Sequence, residues 1–225
     1  LTPADTGRLE STCGEVGHAV IPLPSPGLPL LEPNIAYQDE PLRAFLTAIE
    51  KGHAGFRGLF AAGAGLASID QVERDIGVKL PADLRHLLAK HAGNVGEHQV
   101  LPGWELFSPA RIVDEWRIWE QLRRTEFVPD GISCEPLGSI RPDEWWRLGW
   151  VPFCGDGGGN HLCVDMDPPD RGKSGQVISM WHDDGTRALI AGSLTEFIEI
   201  LAKDAESGAI AWDAEWGGVQ AATEA

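Results

Sequence analysis

Apolar residues change their spacing part-way along this chain, and that change narrows the possible folds more than any other feature. From Pro41 to Arg124 they recur every three to four positions, whereas beyond Cys134 they gather in short β-prone runs separated by glycine and aspartate. The first pattern is that of helices with one buried face, the second that of strands. Leu42, Phe45, Leu46 and Ile49 predict a helix from Pro41, with Gly52 as its stop. Ser68 with Gln71 has the form of a capping box for a second helix, which buries Ile69, Val72 and Ile76 and ends at Gly77. Pro81 suits the start of a third, with Leu84, Leu87 and Leu88 as its stripe and Gly93 as its left-handed stop. Ser108 and Pro109 open a fourth, whose Ile112, Trp116, Trp119 and Leu122 precede the basic end Arg123-Arg124. The glycine- and alanine-rich stretch from Phe56 to Leu66 has no readable period.

Beyond Cys134, strands are expected at Trp150 to Phe153, His161 to Val164 and Gln176 to Trp181, before Ser193 caps a last helix carrying Leu194, Phe197, Ile198 and Leu201. Helices, then strands, then a helix predict an α+β single domain with a mainly antiparallel sheet flanked by helices. Pro22, Pro24, Pro26, Pro29 and Pro33 exclude regular structure near the start. The expected organisation is therefore a proline-rich extension over 1–38, a folded domain over 39–208 and a polar tail over 209–225.

At 225 residues the chain affords one substantial core rather than two. No run reaches the eighteen or so apolar residues of a membrane helix, and the first thirty residues lack a secretory pattern, so cytoplasmic placement with no membrane partner is expected. Cys13, Cys134, Cys154 and Cys163 are too sparse for a disulfide framework. A formal charge of -16 argues against a nucleic-acid ligand and favours a basic protein partner, although acidity also serves solubility alone.

Three segments carry a family resemblance: Arg141 to Trp146, Trp150-Val151-Pro152, and the run GDGGGNHLCVDMDPPDRGKSGQVISMWHDDG from Gly155 to Gly185. With the Leu80-Pro81-Ala82-Asp83-Leu84 junction and the helix containing Glu115-Trp116-Arg117, they resemble the SUKH superfamily over roughly residues 40 to 205. That superfamily includes fungal cell-wall assembly regulators and many bacterial toxin-immunity proteins. The resemblance implies a protein-binding platform without established catalysis.

The chemistry-bearing residues have bland readings beside sharp ones. The glycines from Gly155 to Gly159 could cradle an anion, yet a strand rather than a helix follows, which fits a hairpin turn. Gly172-Lys173-Ser174 lacks the glycine five positions earlier that a phosphate-binding loop needs, since Asp167 stands there. Cys154, His161, Cys163 and His182 are zinc-type ligands without zinc-ribbon spacing, and a small thiol packs well in a core. Asp165, Asp167, Asp183 and Asp184 could converge on a hard cation, could be solvated turns, or could form an acidic patch that docks a basic partner. The resemblance favours the patch, and neither a metal nor another cofactor is expected. Trp145 and Trp146 are adjacent, so in an extended segment at least one would face outward as an anchor.

The expected docking residues are thus Trp145, Trp146, Asp156, Asn160, Asp165, Asp167, His182, Asp183 and Asp184. The first functional expectation is a non-enzymatic immunity protein that neutralises a cognate toxin of nuclease or deaminase type. The second is a non-catalytic scaffold of the cell-wall assembly regulator kind.

Overall fold

The computed structural model describes residues 35–125, 132–141 and 143–222, and the proline-rich segment lies outside them. The first helix, α1 (Ile35–Glu50), begins six residues before Pro41, which therefore sits inside it. Leu42, Phe45, Leu46 and Ile49 are buried as their spacing requires. A single 3-10 turn, Phe56–Leu59, leads into β1 (Phe60–Ala62). Helix α2 (Leu66–Ile76) is capped by Gly65, so Ser68 falls within its first turn and no side-chain cap forms. Gln71 instead bonds Asp75 and Arg74 along the helix. Gly77 ends α2 in the left-handed conformation, as expected.

Pro81 caps α3 (Ala82–Lys90), which stops before Gly93 because β2 (His91–Asn94) follows at once and pairs antiparallel with β1. Gly93 has φ of 101°, and a Cβ there would lie 2.9 Å from the Ser108 nitrogen. The glycine permits a close chain crossing and does not cap a helix. After β3 (Glu105–Leu106), Ser108 accepts from the Arg111 amide and starts α4 (Pro109–Arg124) where the sequence placed it.

The remaining elements are β4 (Ser133–Glu135), β5 (Trp150–Gly155), β6 (His161–Asp165), β7 (Gln176–Met180), β8 (Thr186–Ala191) and α5 (Leu194–Ser207). The main sheet has the order β3-β5-β6-β7-β8-β4, antiparallel throughout except for the parallel β4–β8 edge. Every residue of β5, β6 and β7 is buried, so both faces of the central strands are covered. Helix α4 packs on β5, while α5 packs on β7, β8 and α1. The fold is the expected α+β domain with a mainly antiparallel sheet.

Residues 209–225, expected as a polar tail, contain a second small sheet: β9 (Ile210–Asp213) pairs antiparallel with β10 (Gly218–Ala221). Ile210 and Val219 are buried, and Val219 exchanges backbone bonds with Gln99 and Gly103. Ile210, Val219 and the half-buried Trp212 dock this short hairpin, too few apolar residues to leave a period in the sequence.

Candidate functional site

The hairpin register divides the expected acidic residues between opposite ends of the sheet. His161 pairs with Met180 and Asp165 pairs with Gln176, so the turn carrying His182 to Asp184 lies at the His161 end. Asp165 and Asp167 lie at the other end, about 13 Å away along a five-residue strand. The four carboxylates do not converge, and among the described residues no group of three or more His, Cys, Asp or Glu could hold a metal ion.

Asp165 and the two tryptophans are internal, whereas Asp167 is half-exposed but paired. Asp165 is fully buried; its Oδ1 accepts from the Asp167 amide and its Oδ2 from Gln176 Nε2. Burial raises its pKa, and these bonds offset only part of that rise. Asp167 receives Arg147 Nη2 at 2.6 Å and Nε at 3.2 Å, so its charge is already matched. Trp145 and Trp146 are 2% and 0% exposed, contrary to the expectation of an outward anchor. The strand rule fails because residues 143–149 bend instead of extending: Asp143 pairs with Arg147 four residues on. Trp146 stacks on Trp119 at 5.7 Å, and Trp145 lies under the Arg187 guanidinium at 4.5 Å.

Arg187 went unnoticed in the sequence, where a basic residue in a short strand looks solvated. It is fully buried: Nη1 donates to the carbonyls of Asp184 and Thr186, and Nη2 to that of Trp145. Desolvation lowers its pKa to about 10. Its role is to tie the Asp183-Asp184 turn to the tryptophan layer beneath.

The His161 end is exposed and organised. The Asp156 carboxylate accepts from the amides of Gly158 and Asn160 and from Asn160 Nδ2, which fixes the glycine turn between β5 and β6. Burial pushes the Asp156 pKa up, but these bonds outweigh it and the net shift is downward. Asn160 Oδ1 in turn accepts from the His182 amide and lies 2.9 Å from its Nδ1. The β5–β6 and β7–β8 turns are thereby held together. Asp184 accepts from the Thr186 amide, which lowers its pKa. Asp183 has a 74% exposed side chain and only a 3.9 Å approach to His182. Trp181 is 37% exposed and contacts Trp104 at 6.0 Å. Trp104 had no helical or strand period to single it out. Of the expected residues, Asp156 and Asn160 shape this site, whereas His182, Asp183 and Asp184 display it.

The zinc-type residues do not assemble. The Cys154 and Cys163 thiols are buried and burial raises both pKa values, which disfavours the thiolate. His161 Nε2 faces Glu115 Oε2 at 3.3 Å, and His182 lies on the exposed turn.

Residues 63–200 match the SMI1/KNR4 family model, also termed SUKH-1. The chain belongs to the SMI1/KNR4 family. Among the relatives of this SUKH-1 chain is the "cell wall biosynthesis/cell cycle regulator smi1" of Schizosaccharomyces pombe, 27% identical over 168 residues, covering 65% of this chain and 32% of the relative. The "glucan synthesis regulatory protein" of Neurospora crassa is 26% identical over 184 residues, covering 65% and 34%. The "cell wall assembly regulator SMI1" of Saccharomyces cerevisiae is 35% identical over 93 residues, covering 40% and 18%. The SUKH-1 chain thus spans about a third of the length of the first two relatives, 32% and 34%. Among its described residues, no helix is long and apolar enough to cross a membrane.

Proposed function

We propose that this SUKH-1 domain is a non-catalytic adaptor of the cell-wall assembly regulator kind, acting in the cytosol and docking a basic partner protein on its paired turns. The observation that carries the reading is the fixed turn pair, which presents Asp183 and Trp181 to solvent while the Asp156–Asn160–His182 chain holds the backbone. A preorganised acidic rim beside an aromatic contact suits protein recognition, because little ordering entropy remains to be lost on binding. The names of the relatives favour this adaptor over the toxin-neutralising reading.

The test is a chimera in which residues 35–222 replace the matched segment of the budding-yeast regulator, scored for growth under a cell-wall-perturbing dye. The chimera is expected to restore growth, and the same chimera with Asp183→Lys is expected to restore it poorly at equal abundance. Failure of the folded, abundant chimera to restore any growth would refute the adaptor reading.

A further inference from the structure

The β9–β10 hairpin holds the most exposed tryptophan among the described residues on one of the more firmly tied turns. Trp216 is 76% exposed. The turn beneath it is fixed, because Asp213 Oδ1 accepts from the amides of both Glu215 and Trp216. The base is fixed as well: His98 Nδ1 lies 3.2 Å from the Gly217 carbonyl, Val219 bonds Gln99 and Gly103, and Gln220 Nε2 donates to Gln99 Oε1. Trp212 stacks on His53 at 4.2 Å and meets Phe56 edge-on, which locks the inner strand. A large indole held out in water by this much structure is the arrangement of a binding anchor, since few rotors remain to be ordered on contact.

Beside the hairpin runs a groove of about 260 Å³, lined by Ile49, Lys51, Gly52, Glu206, Ala211 and Trp212. Helix α1 ends at Glu50 and α5 at Ser207, so two carboxy-terminal helix ends, each carrying partial negative charge, open onto the same space. Glu206 lines it and Glu215 is exposed at the hairpin tip, with Lys51 the cation among the lining residues. The local field therefore favours a cationic guest, and an exposed indole face is a partner for such a group.

We propose that the β9–β10 hairpin and this groove form a second docking surface, which takes an arginine- or lysine-bearing segment of a partner protein with Trp216 as its anchor. The surface shares no residue with the paired turns and does not depend on the adaptor reading. With both surfaces in use, one domain can hold two partners at once.

The probe is a fluorescein-labelled peptide of alternating arginine and glycine, titrated into the full chain by anisotropy at about 0.15 M salt, where charges beyond about 8 Å are screened. A glutamate-glycine peptide is the charge control. The arginine peptide is expected to bind, with Trp216→Ala weakening it about tenfold and Asp183→Lys changing it less than twofold. Trp216→Ala should leave the melting temperature in place, because an exposed tip residue contributes little to the fold. Unchanged affinity in Trp216→Ala, equal binding of the glutamate peptide, or no binding of the arginine peptide would each overturn the proposal. A loss confined to Asp183→Lys would overturn it too, while leaving the paired-turn reading intact.

Discussion

Replacing Glu73 with alanine is expected to destabilise the domain by about 3 kcal/mol. The side chain is 5% exposed and serves three donors: Arg85 Nη1 at 2.7 Å, Lys79 Nζ at 2.6 Å and the Leu80 amide at 3.1 Å. These donors are not equivalent. Lys79 is 87% exposed and its loss costs about 0–1 kcal/mol. The Leu80 amide is buried and would be left without its acceptor, which costs about 1–3 kcal/mol. Arg85 keeps Asp70 at 2.7 Å, so its share is about 1 kcal/mol. For a domain of this size the sum corresponds to a fall of about 6–12 °C in Tm, read by circular dichroism. Lys79→Ala should shift Tm by less than about 4 °C. Burial pushes the Glu73 pKa up, but its three donors outweigh burial and the net shift is downward. A lowered folded pKa stabilises above the ordinary glutamate value of 4.5 and loses that contribution as pH falls through the folded value. The gap between wild type and Glu73→Ala should therefore narrow below about pH 4.5. A gap that is absent at pH 7, widens in acid, or is matched by Lys79→Ala would refute this reasoning.

Trp146→Ala should cost about 3–5 kcal/mol in urea unfolding, because the indole is fully buried against Trp119 and Trp150. A stable variant with weakened partner binding would instead restore it as a surface anchor. Gly93→Ala should destabilise by at least about 2 kcal/mol, since it combines positive φ with a 2.9 Å backbone approach, and a melting curve like the wild type would show that the crossing can relax. Asp156→Ala should loosen the glycine turn, with faster amide exchange at Gly158 and Asn160, the two amides its carboxylate holds; unchanged exchange would remove Asp156 as the organiser of the turn.

Elements specified by neighbouring residues were legible in the sequence. Helix α4 starts where Ser108 can cap and Pro109 needs no donor, and both effects act within one turn. The glycine turn after Gly155 was likewise readable, since a strand rather than a helix followed it. What escaped depended on distant parts of the chain. Ser68 has the right neighbours for a cap, yet Gly65 precedes it and the helix starts earlier. Strand β8 was missed because its burial does not alternate: a register shift falls opposite Val177 and Ile178, and its two buried residues are an arginine, Arg187, and the small Ala191. The site suffered most. Whether Asp165 and Asp183 share a surface is decided by β6–β7 pairing, a register that residue types alone do not announce.

The stitching of His98 to Gly217 spans 119 positions, whereas β5, β6 and β7 each pair with the next strand in sequence. Closing a long loop costs more chain entropy than closing a short one, so seating the small hairpin costs more than any pairing within the four-strand meander. The base beneath Trp216 is therefore complete only where residues 98–103 are seated beside it. The hairpin acts as a seal on the domain, joining its last described strands to a segment more than a hundred positions earlier.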